Sequence, residues 1–444
     1  MKVGILGAGL AGLSTALFLQ ESKKIEEIHI FEKERESGGL CRSFIHDGRH
    51  VDIGPHIIFS KNRETLEFMR GLLGENQVKL RRSNQIIYQG KFVQYPFEND
   101  LSKLSECDRQ KCVDSFLNNP YSSYESQNML QFFLKTFGEG ITNLYLRPYN
   151  EKIWKFDPSY MNTTMVERIP QPPAEDILKS AAGETIDGYL HQLYFYYPKE
   201  GGMASLIKGI ENKLEEKVIL HKENSITDVE KENNCWKITT DKMQWKGDML
   251  VSCIPVNELI KVYHPIKKEI ESTGKNLKYN HIMLGVVTVS VDRAGNNYAF
   301  MIPDKDVIFH RLSKLDFLGC NYGRKNTATY MMEVTYRQES DFSGWDEERL
   351  KSKFIEGLKK INFIENEEEI IEMTFRCFPY AYVIYDLDHS NNMKQIRNYF
   401  EQEEVVLNGR FGNFEYWNMD RVIEESRKVS NEIVARLNEQ EAII

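Results

Sequence analysis

The chain has little cysteine and spends it without pattern. Its seven cysteines, Cys41, Cys107, Cys112, Cys235, Cys253, Cys320 and Cys377, are odd in number and include no C-x-x-C pair. That spacing indicates neither a zinc site nor a disulfide framework, and it points to a reducing, cytoplasmic compartment. No stretch reaches the roughly 18 consecutive apolar residues of a membrane span. The apolar run behind Lys2 mimics a secretion leader only superficially, because its glycine spacing suits a buried turn. A cationic excess is also missing: net charge is −9, so no nucleic-acid footprint is expected. Ser-His-Asp order, metal-ligand spacing, paired acids, internal repeats and low-complexity tracts are all absent from the sequence. A chain without its own nucleophile, metal or acid pair fits chemistry carried by a bound cofactor. At 444 residues it is too long for one small core, and two or three domains are expected.

What is present starts at the amino terminus. Val3, Ile5 and Leu6 read as a strand, GAGLAG at residues 7–12 as a turn, the next apolar run as a helix, and residues 28–31 as a second strand ending on Glu32. In such a unit Gly7 makes the tight turn, Gly9 lets backbone approach a pyrophosphate, and Gly12 lets the helix pack on the strand. The helix N-terminus offers free N–H groups and a positive dipole end to the phosphates. Glu32 falls twenty residues after Gly12, where a carboxylate can accept from ribose hydroxyls. A plain glycine-rich turn, the alternative, would not need that acid in register. Gly38 and Gly39 then suggest a second backbone approach to the same dinucleotide.

Helical spacing follows over residues 63–73, and a hairpin about Gln89 and Gly90 over residues 85–95. From 101 to about 185 the text is charged, aromatic and helical, broken locally by Pro170, Pro172 and Pro173. Residues 194–203 start a return to the nucleotide domain. Strands are expected at 218–220, 226–229, 235–240 and 248–255, the last ending beside the cofactor. This interrupted layout favours FAD over NAD, since simple NAD domains are usually continuous. Residues 280–385 alternate, with strands at 282–289, 298–302 and 327–334, and predict an antiparallel sheet. A final strand at 405–410 precedes a last helix over 421–437.

The stretch E-K-x-x-x-x-G-G-L-C-R-S from Glu32, followed by D-I-G-P-H-x-x-F-S from Asp52, resembles the FAD-binding amine-oxidase and protoporphyrinogen-oxidase superfamily. Within it the chain looks most like the UDP-galactopyranose mutase branch, with Pro55 departing from the usual small residue. In the superfamily a Pro-x-x-Gly-Gly stretch like Pro198 to Gly202 leads into a helix, here over 204–214. The resemblance implies an α/β fold: a discontinuous Rossmann-like FAD-binding domain (residues 1–62, 195–260 and 400–444), a helical insertion (100–194) and an antiparallel-sheet substrate domain (63–99 and 261–399). It implies cofactor contacts at Gly7, Gly9, Ala11, Gly12, Glu32, Gly39 and Leu40, and places His56 near the flavin ring, with a core histidine as the alternative.

Residues 409–420 resemble the mutase G-R-x-G-x-Y-x-Y-x-D-M segment. Carried over, Arg410, Asn418 and Met419 contact the flavin side and Tyr416 the diphosphate, with Asn418 replacing the family's Asp and Phe414 its first Tyr. A plain helix cap is the other reading of this stretch. Arg168 lies in a segment like the mutase R-I-P, and Arg311 in one like Y-T-R, where His310 replaces Thr. Both arginines would clamp the substrate diphosphate, work for which a planar, permanently charged fork is suited. Tyr382 matches a family tyrosine that reaches the diphosphate, with Tyr385 competing for the role. Trp154, in a Y-N-x-K-x-W stretch, would line the nucleotide-sugar entrance or else be a core tryptophan. A further family tyrosine falls between Tyr189 and Tyr197.

The activity implied is interconversion of pyranose and furanose forms of a UDP-galactose-like sugar on reduced FAD, without net redox change, as in polysaccharide biosynthesis. Arg168, Arg311 and His56 are its expected catalytic groups, and no metal is expected. The alternatives are an FAD-dependent oxidase or desaturase of the same superfamily, and a non-catalytic flavin scaffold. Expected partners are a nucleotide sugar and a reductant such as NAD(P)H. A homo-oligomer stays open.

Overall fold

The strands Lys2–Leu6 and Glu27–Phe31 are apolar on both faces, and such strands belong inside a sheet covered on both sides. The computed structural model describes residues 1–443 apart from 168, 185, 187–192, 338 and 343. In it these two strands sit within a five-stranded parallel sheet ordered Val405–Leu407, Met249–Ser252, Lys2–Leu6, Glu27–Phe31, Val218–His221. Every residue of the helix Leu10–Leu19 is buried, because the long helix Met419–Ile443 packs along it over one face of the sheet. The opposite face carries a smaller sheet of the strands Gln244–Gly247, Cys235–Thr240, Ile226–Glu232 and Tyr263–His264. Trp245 from that sheet lies on the central strand, where a Cβ on Gly4 would stand 2.6 Å from its ring.

The second large sheet has seven strands, ordered Ile370–Val383, Tyr279–Val289, Ala328–Tyr336, Arg311–Lys314, Ala299–Met301, Asn84–Tyr88, Lys91–Gln94. Its neighbours are antiparallel except for Ala299–Met301 with Asn84–Tyr88. The Gln89–Gly90 hairpin has φ of 49° and 75°, the two positive values that a type I′ turn needs. The helix Glu347–Lys360 covers one face, with Phe354 seated against Gly285. At the other edge, Ile282 pairs with Phe378 but Asn280 pairs with Tyr382, so the longer strand bulges between them. Tyr380 within the bulge has φ of 55°, a left-handed conformation rare for a bulky residue.

The insertion holds the helices Glu106–Leu117, Met129–Ile141, Arg147–Trp154 and Ala174–Ala182, the last capped by Pro173 at the expected break. The helix expected over 204–214 ends at Glu211, and the terminal helix runs from Met419 to Ile443 rather than over 421–437. Among the described residues no helix is long and apolar enough to cross a membrane.

The helix Arg147–Trp154 docks onto the seven-stranded sheet through its C-terminal carbonyls, which have no partner inside the helix. Asn280 Nδ2 and Arg337 Nη2 donate to the carbonyl of Trp154 at 2.6 and 2.9 Å. Lys152 Nζ donates to the carbonyls of Ile302 and Asp304 at 2.9 and 2.7 Å. Burial pushes the Lys152 ammonium down to about 7, with nearby Lys155 adding to the effect. This native value lies below the ordinary lysine value of 10.5, so between the two the unfolded chain holds more protons than the native chain. Native stability contributed by this group therefore rises with pH across that window. The stability difference between wild type and Lys152→Met, from denaturant melts, is expected to shift toward wild type as pH rises from about 7 toward 10.5. A difference independent of pH would contradict the buried, partly neutral lysine.

Candidate active site

Two ends of one site can be built from the residues upward. At the first, Gly7 turns with φ of 92°, and its N–H donates to the carbonyl of Phe31 at 2.8 Å. A Cβ on Gly12 would lie 2.0 Å from the carbonyl oxygen of Gly7, so only glycine permits this helix to start so close to its strand. Gly9 is different: the nearest atom to its added Cβ is the Cα of Gly39, at 3.9 Å. The two backbones face across an open cradle at the helix N-terminus, where a side chain would fill the space of a pyrophosphate. Gly38 closes the far side, its N–H donating to the carbonyl of Ala8 at 2.8 Å. Glu32 caps the arrangement: Oε2 accepts from the Ala8 N–H at 2.9 Å and Oε1 from the Glu34 N–H at 3.0 Å. Each oxygen keeps a lone pair for a ribose hydroxyl. Ala11 touches the carboxyl-terminal segment, where a Cβ on Gly409 would stand 2.8 Å away. Leu40 is half-buried beside this end, in the short helix Gly39–Cys41.

The second end lies around residues 52–56. Asp52 is buried and accepts from Ser43 Oγ and Tyr197 OH, both at 2.7 Å, and from the Met203 N–H at 2.8 Å. Burial pushes its carboxyl up to about 6 against those three bonds, which pull it down. A Cβ on Gly202 would meet Asp52 Oδ1 and Ser43 Oγ at 2.5 Å, which explains the glycine pair after Pro198. Gly54 bends the chain with φ of 86°, and a small pocket of about 10 Å³, room for a single water, opens beside Asp52, Gly54, Pro55, His56, Tyr298 and Tyr322. Burial, with the positive charges of Arg410 and Arg311, pushes the His56 imidazole down to about 4, so it is neutral at pH 7. Its Nδ1 is buried with no hydrogen-bond partner among the described residues.

Around this end the structure brings together Trp154, Arg311, Tyr382, Arg410 and Tyr416, from four separate parts of the chain. Trp154 meets Tyr382 and Tyr416 edge-on, each at 5.9 Å between centroids, and those two tyrosines stack at 5.9 Å. Trp154 Nε1 donates to Asn150 Oδ1 at 2.8 Å, which fixes the indole. Arg410 lies 4.1 Å over the Tyr416 ring, donating to the carbonyls of Ala381 at 2.7 Å and Trp417 at 3.0 Å. Arg410 Nε is buried with no partner among the described residues. Arg311 grips fully buried Glu333 through Nε and Nη2, and Tyr382 OH lies 3.5 Å from both partners. Burial would lower the guanidinium, but the Glu333 carboxylate outweighs it and keeps Arg311 charged. Burial also holds the Tyr382 hydroxyl well above the ordinary phenol range, hence neutral.

Tyr382 is a member of this cluster, whereas Tyr385 accepts the backbone N–H of Tyr416 at 2.6 Å from behind it. Asn418 is exposed at the start of the terminal helix, and Met419 is buried behind it. Arg168 and Tyr189 lie outside the described residues. The sequence reading missed Glu333, although an acid amid Met331, Met332 and Val334 was a signal for a buried partner. It also missed Arg82, which stands 5.6 Å over the Phe59 ring and near Arg311.

The architecture is the FAD-dependent amine-oxidase and protoporphyrinogen-oxidase fold, and the cradle with its second glycine pair fits FAD. Residues 5–72 match a family described as an NAD(P)-binding Rossmann-like domain. Among curated proteins, the protoporphyrinogen oxidase of Dictyostelium discoideum is 22% identical over 378 residues, 69% of this chain and 70% of that protein. Among solved structures, a reduced UDP-galactopyranose mutase superposes with a TM-score of 0.89 at 22% identity, covering 98% of this chain and 95% of that one. A putative protoporphyrinogen oxidase from Exiguobacterium sp. 255-15 superposes with a TM-score of 0.76 at 15% identity, covering 97% and 98%.

The cradle can be tested without an assay of turnover. Gly9→Val is expected to give a folded protein, by circular dichroism, that retains no FAD through purification. Retention of FAD at wild-type stoichiometry would show that the cradle is not the pyrophosphate site.

Proposed function

We propose that the protein is an FAD-dependent mutase that interconverts pyranose and furanose forms of a nucleoside-diphosphate sugar of the UDP-galactose kind. The observation that carries this reading is Arg311, held charged beside Trp154, Tyr382 and Tyr416. A fixed guanidinium with phenolic hydroxyls suits a diphosphate and a sugar, whereas an oxidase or desaturase of an apolar substrate calls for an apolar tunnel. The likeness to the mutase structure supports the fold that such a reaction needs. When bound and reduced, the flavin supplies electron density to the anomeric centre with no net redox change.

The chain's own residues then have definable work. Arg311 offers the leaving diphosphate Nη1, the guanidinium nitrogen not engaged by Glu333, and Arg168 is assigned the same task. The Tyr382 and Tyr416 hydroxyls donate to phosphate or sugar oxygens. Trp154 walls the entrance, and neutral His56 can accept or donate a single hydrogen bond without adding charge. A nicotinamide dinucleotide would keep the flavin reduced, and the cytoplasm is the proposed compartment. The second reading, an oxidase, rests on the length of the match to the Dictyostelium protein.

Reduced enzyme under anaerobic conditions is expected to interconvert UDP-galactopyranose and UDP-galactofuranose over many turnovers and to end with its flavin still reduced. Oxidised enzyme should be silent. Turnover by oxidised enzyme with stoichiometric oxygen uptake would replace the mutase reading with the oxidase one.

Truncating Arg311 is a poor test, because it strands the buried Glu333 carboxylate at a cost of about 3–5 kcal/mol. Arg311→Lys keeps the charge and loses the fork. It is expected to retain FAD and weaken UDP binding by about 1.5–3 kcal/mol, or roughly ten- to more than a hundredfold. Unchanged affinity for UDP would remove Arg311 from the diphosphate site.

A further inference from the structure

Tyr416 is the only member of the aromatic cluster carried on an irregular segment, and the way that segment is held is unusual. Phe414 is fully buried yet has φ of 52°, a strained value for a side chain of its size. Such a conformation persists only where the surroundings over-determine it. The surroundings here are three side chains from one neighbourhood. His389 Nε2 meets the carbonyl of Phe414 at 2.8 Å. Arg397 Nη2 donates to the carbonyl of Asn413 at 2.8 Å and to Glu415 Oε1 at 2.6 Å. Tyr385 OH donates to Glu415 Oε2 at 2.7 Å and accepts the N–H of Tyr416 itself at 2.6 Å.

Tyr385 also reaches the opposite wall of the site. Its carbonyl accepts the N–H of Asn162 at 2.8 Å, and Asn162 Nδ2 donates to the carbonyl of Asp386 at 3.2 Å. Residues 161–162 belong to the insertion that carries Trp154. One residue therefore ties together the sheet that presents Tyr382, the insertion, and the segment that presents Tyr416.

We infer that Tyr385 is a positioning residue: its hydroxyl, locked by Glu415 and backed by Arg397 and His389, sets Tyr416 in place between Arg410 and Trp154. It touches no substrate and acts through the Tyr416 backbone. The consequence for turnover rests on the mutase reading, but the consequence for the segment does not.

The test has two independent arms. Tyr385→Phe removes one oxygen and leaves the ring packed on His389, 4.5 Å away between centroids. In hydrogen exchange, the Tyr416 amide is expected to exchange at least tenfold faster, while the helix Leu10–Leu19 exchanges as in wild type. In turnover of UDP-galactose by reduced enzyme, kcat is expected to fall about tenfold. In a Tyr416→Phe background the same substitution should cost nothing further, because both changes act on one group. Arg397→Ala, at the outer edge of the network, should accelerate exchange in the same segment and serves if Tyr385→Phe does not fold. Unchanged exchange at Tyr416 in both variants would overturn the inference. So would a loss of turnover that is the same with and without Tyr416. If wild type turns over no nucleotide sugar, the mutase reading fails, and the exchange arm alone decides on Tyr385.

Discussion

A guanidinium and a carboxylate buried together set the terms for everything around them. Glu333 has no exposure, and Arg311 meets it with two nitrogens from the neighbouring strand. Removing two charges from water is costly, and their mutual attraction repays that cost only with good geometry and with the remaining valences occupied. The strands Arg311–Lys314 and Ala328–Tyr336 supply the geometry, since Arg311 and Glu333 are direct partners in the antiparallel register. Tyr382 supplies a further hydroxyl at 3.5 Å from each. The pair stiffens the floor of the site.

The walls above this floor come from distant sequence, and two of them are held by devices that cost local stability. The bulge around Tyr380 aims Tyr382 inward and turns the carbonyl of Ala381 onto Arg410. The strained turn at Phe414 aims Tyr416. The C-terminal carbonyls of the helix Arg147–Trp154 are caught by Asn280 and Arg337, while Asn150 of the same helix holds the Trp154 indole. Strain concentrated at positions that converge on one cluster is the pattern expected where binding geometry, and not packing alone, has shaped the chain.

Much of this was legible in the sequence for local reasons. The GAGLAG turn and its acid are short-range chemistry, and residues 2–32 fold as their spacing indicates. The hairpin at Gln89 and Gly90 likewise needs only its two left-handed positions. What escaped was non-local. The 14-residue strand Ile370–Val383 contains Pro379 and a bulge, and at a sheet edge it alternates poorly. Gly4 looks idle until Trp245 is folded onto it from 241 residues away. Glu333 looks like an error in an apolar strand until Arg311 arrives from its neighbour. The bulge at Tyr380 leaves Tyr382 and Tyr385 three residues apart in sequence but with different partners, so family register alone could not choose between them.

The electrostatics of the cluster divide its arginines in a way that sequence could not. Arg311 is balanced by Glu333, so to an incoming anion it presents a fixed dipole rather than a full charge. Arg410 is bound by the carbonyl oxygens of Ala381 and Trp417 and by the face of Tyr416, and no carboxylate lies within 4 Å of it among the described residues. Carbonyls and an aromatic face orient a cation without cancelling it. Arg410 therefore carries the uncompensated positive charge of the described cluster, and it does so where the five-stranded sheet meets the seven-stranded one. An anionic group would be drawn toward Arg410 by charge and oriented at Arg311 by shape. Under the proposed function, recognition of the ligand's geometry would fall to the Arg311–Glu333 pair and its attraction into the site to Arg410.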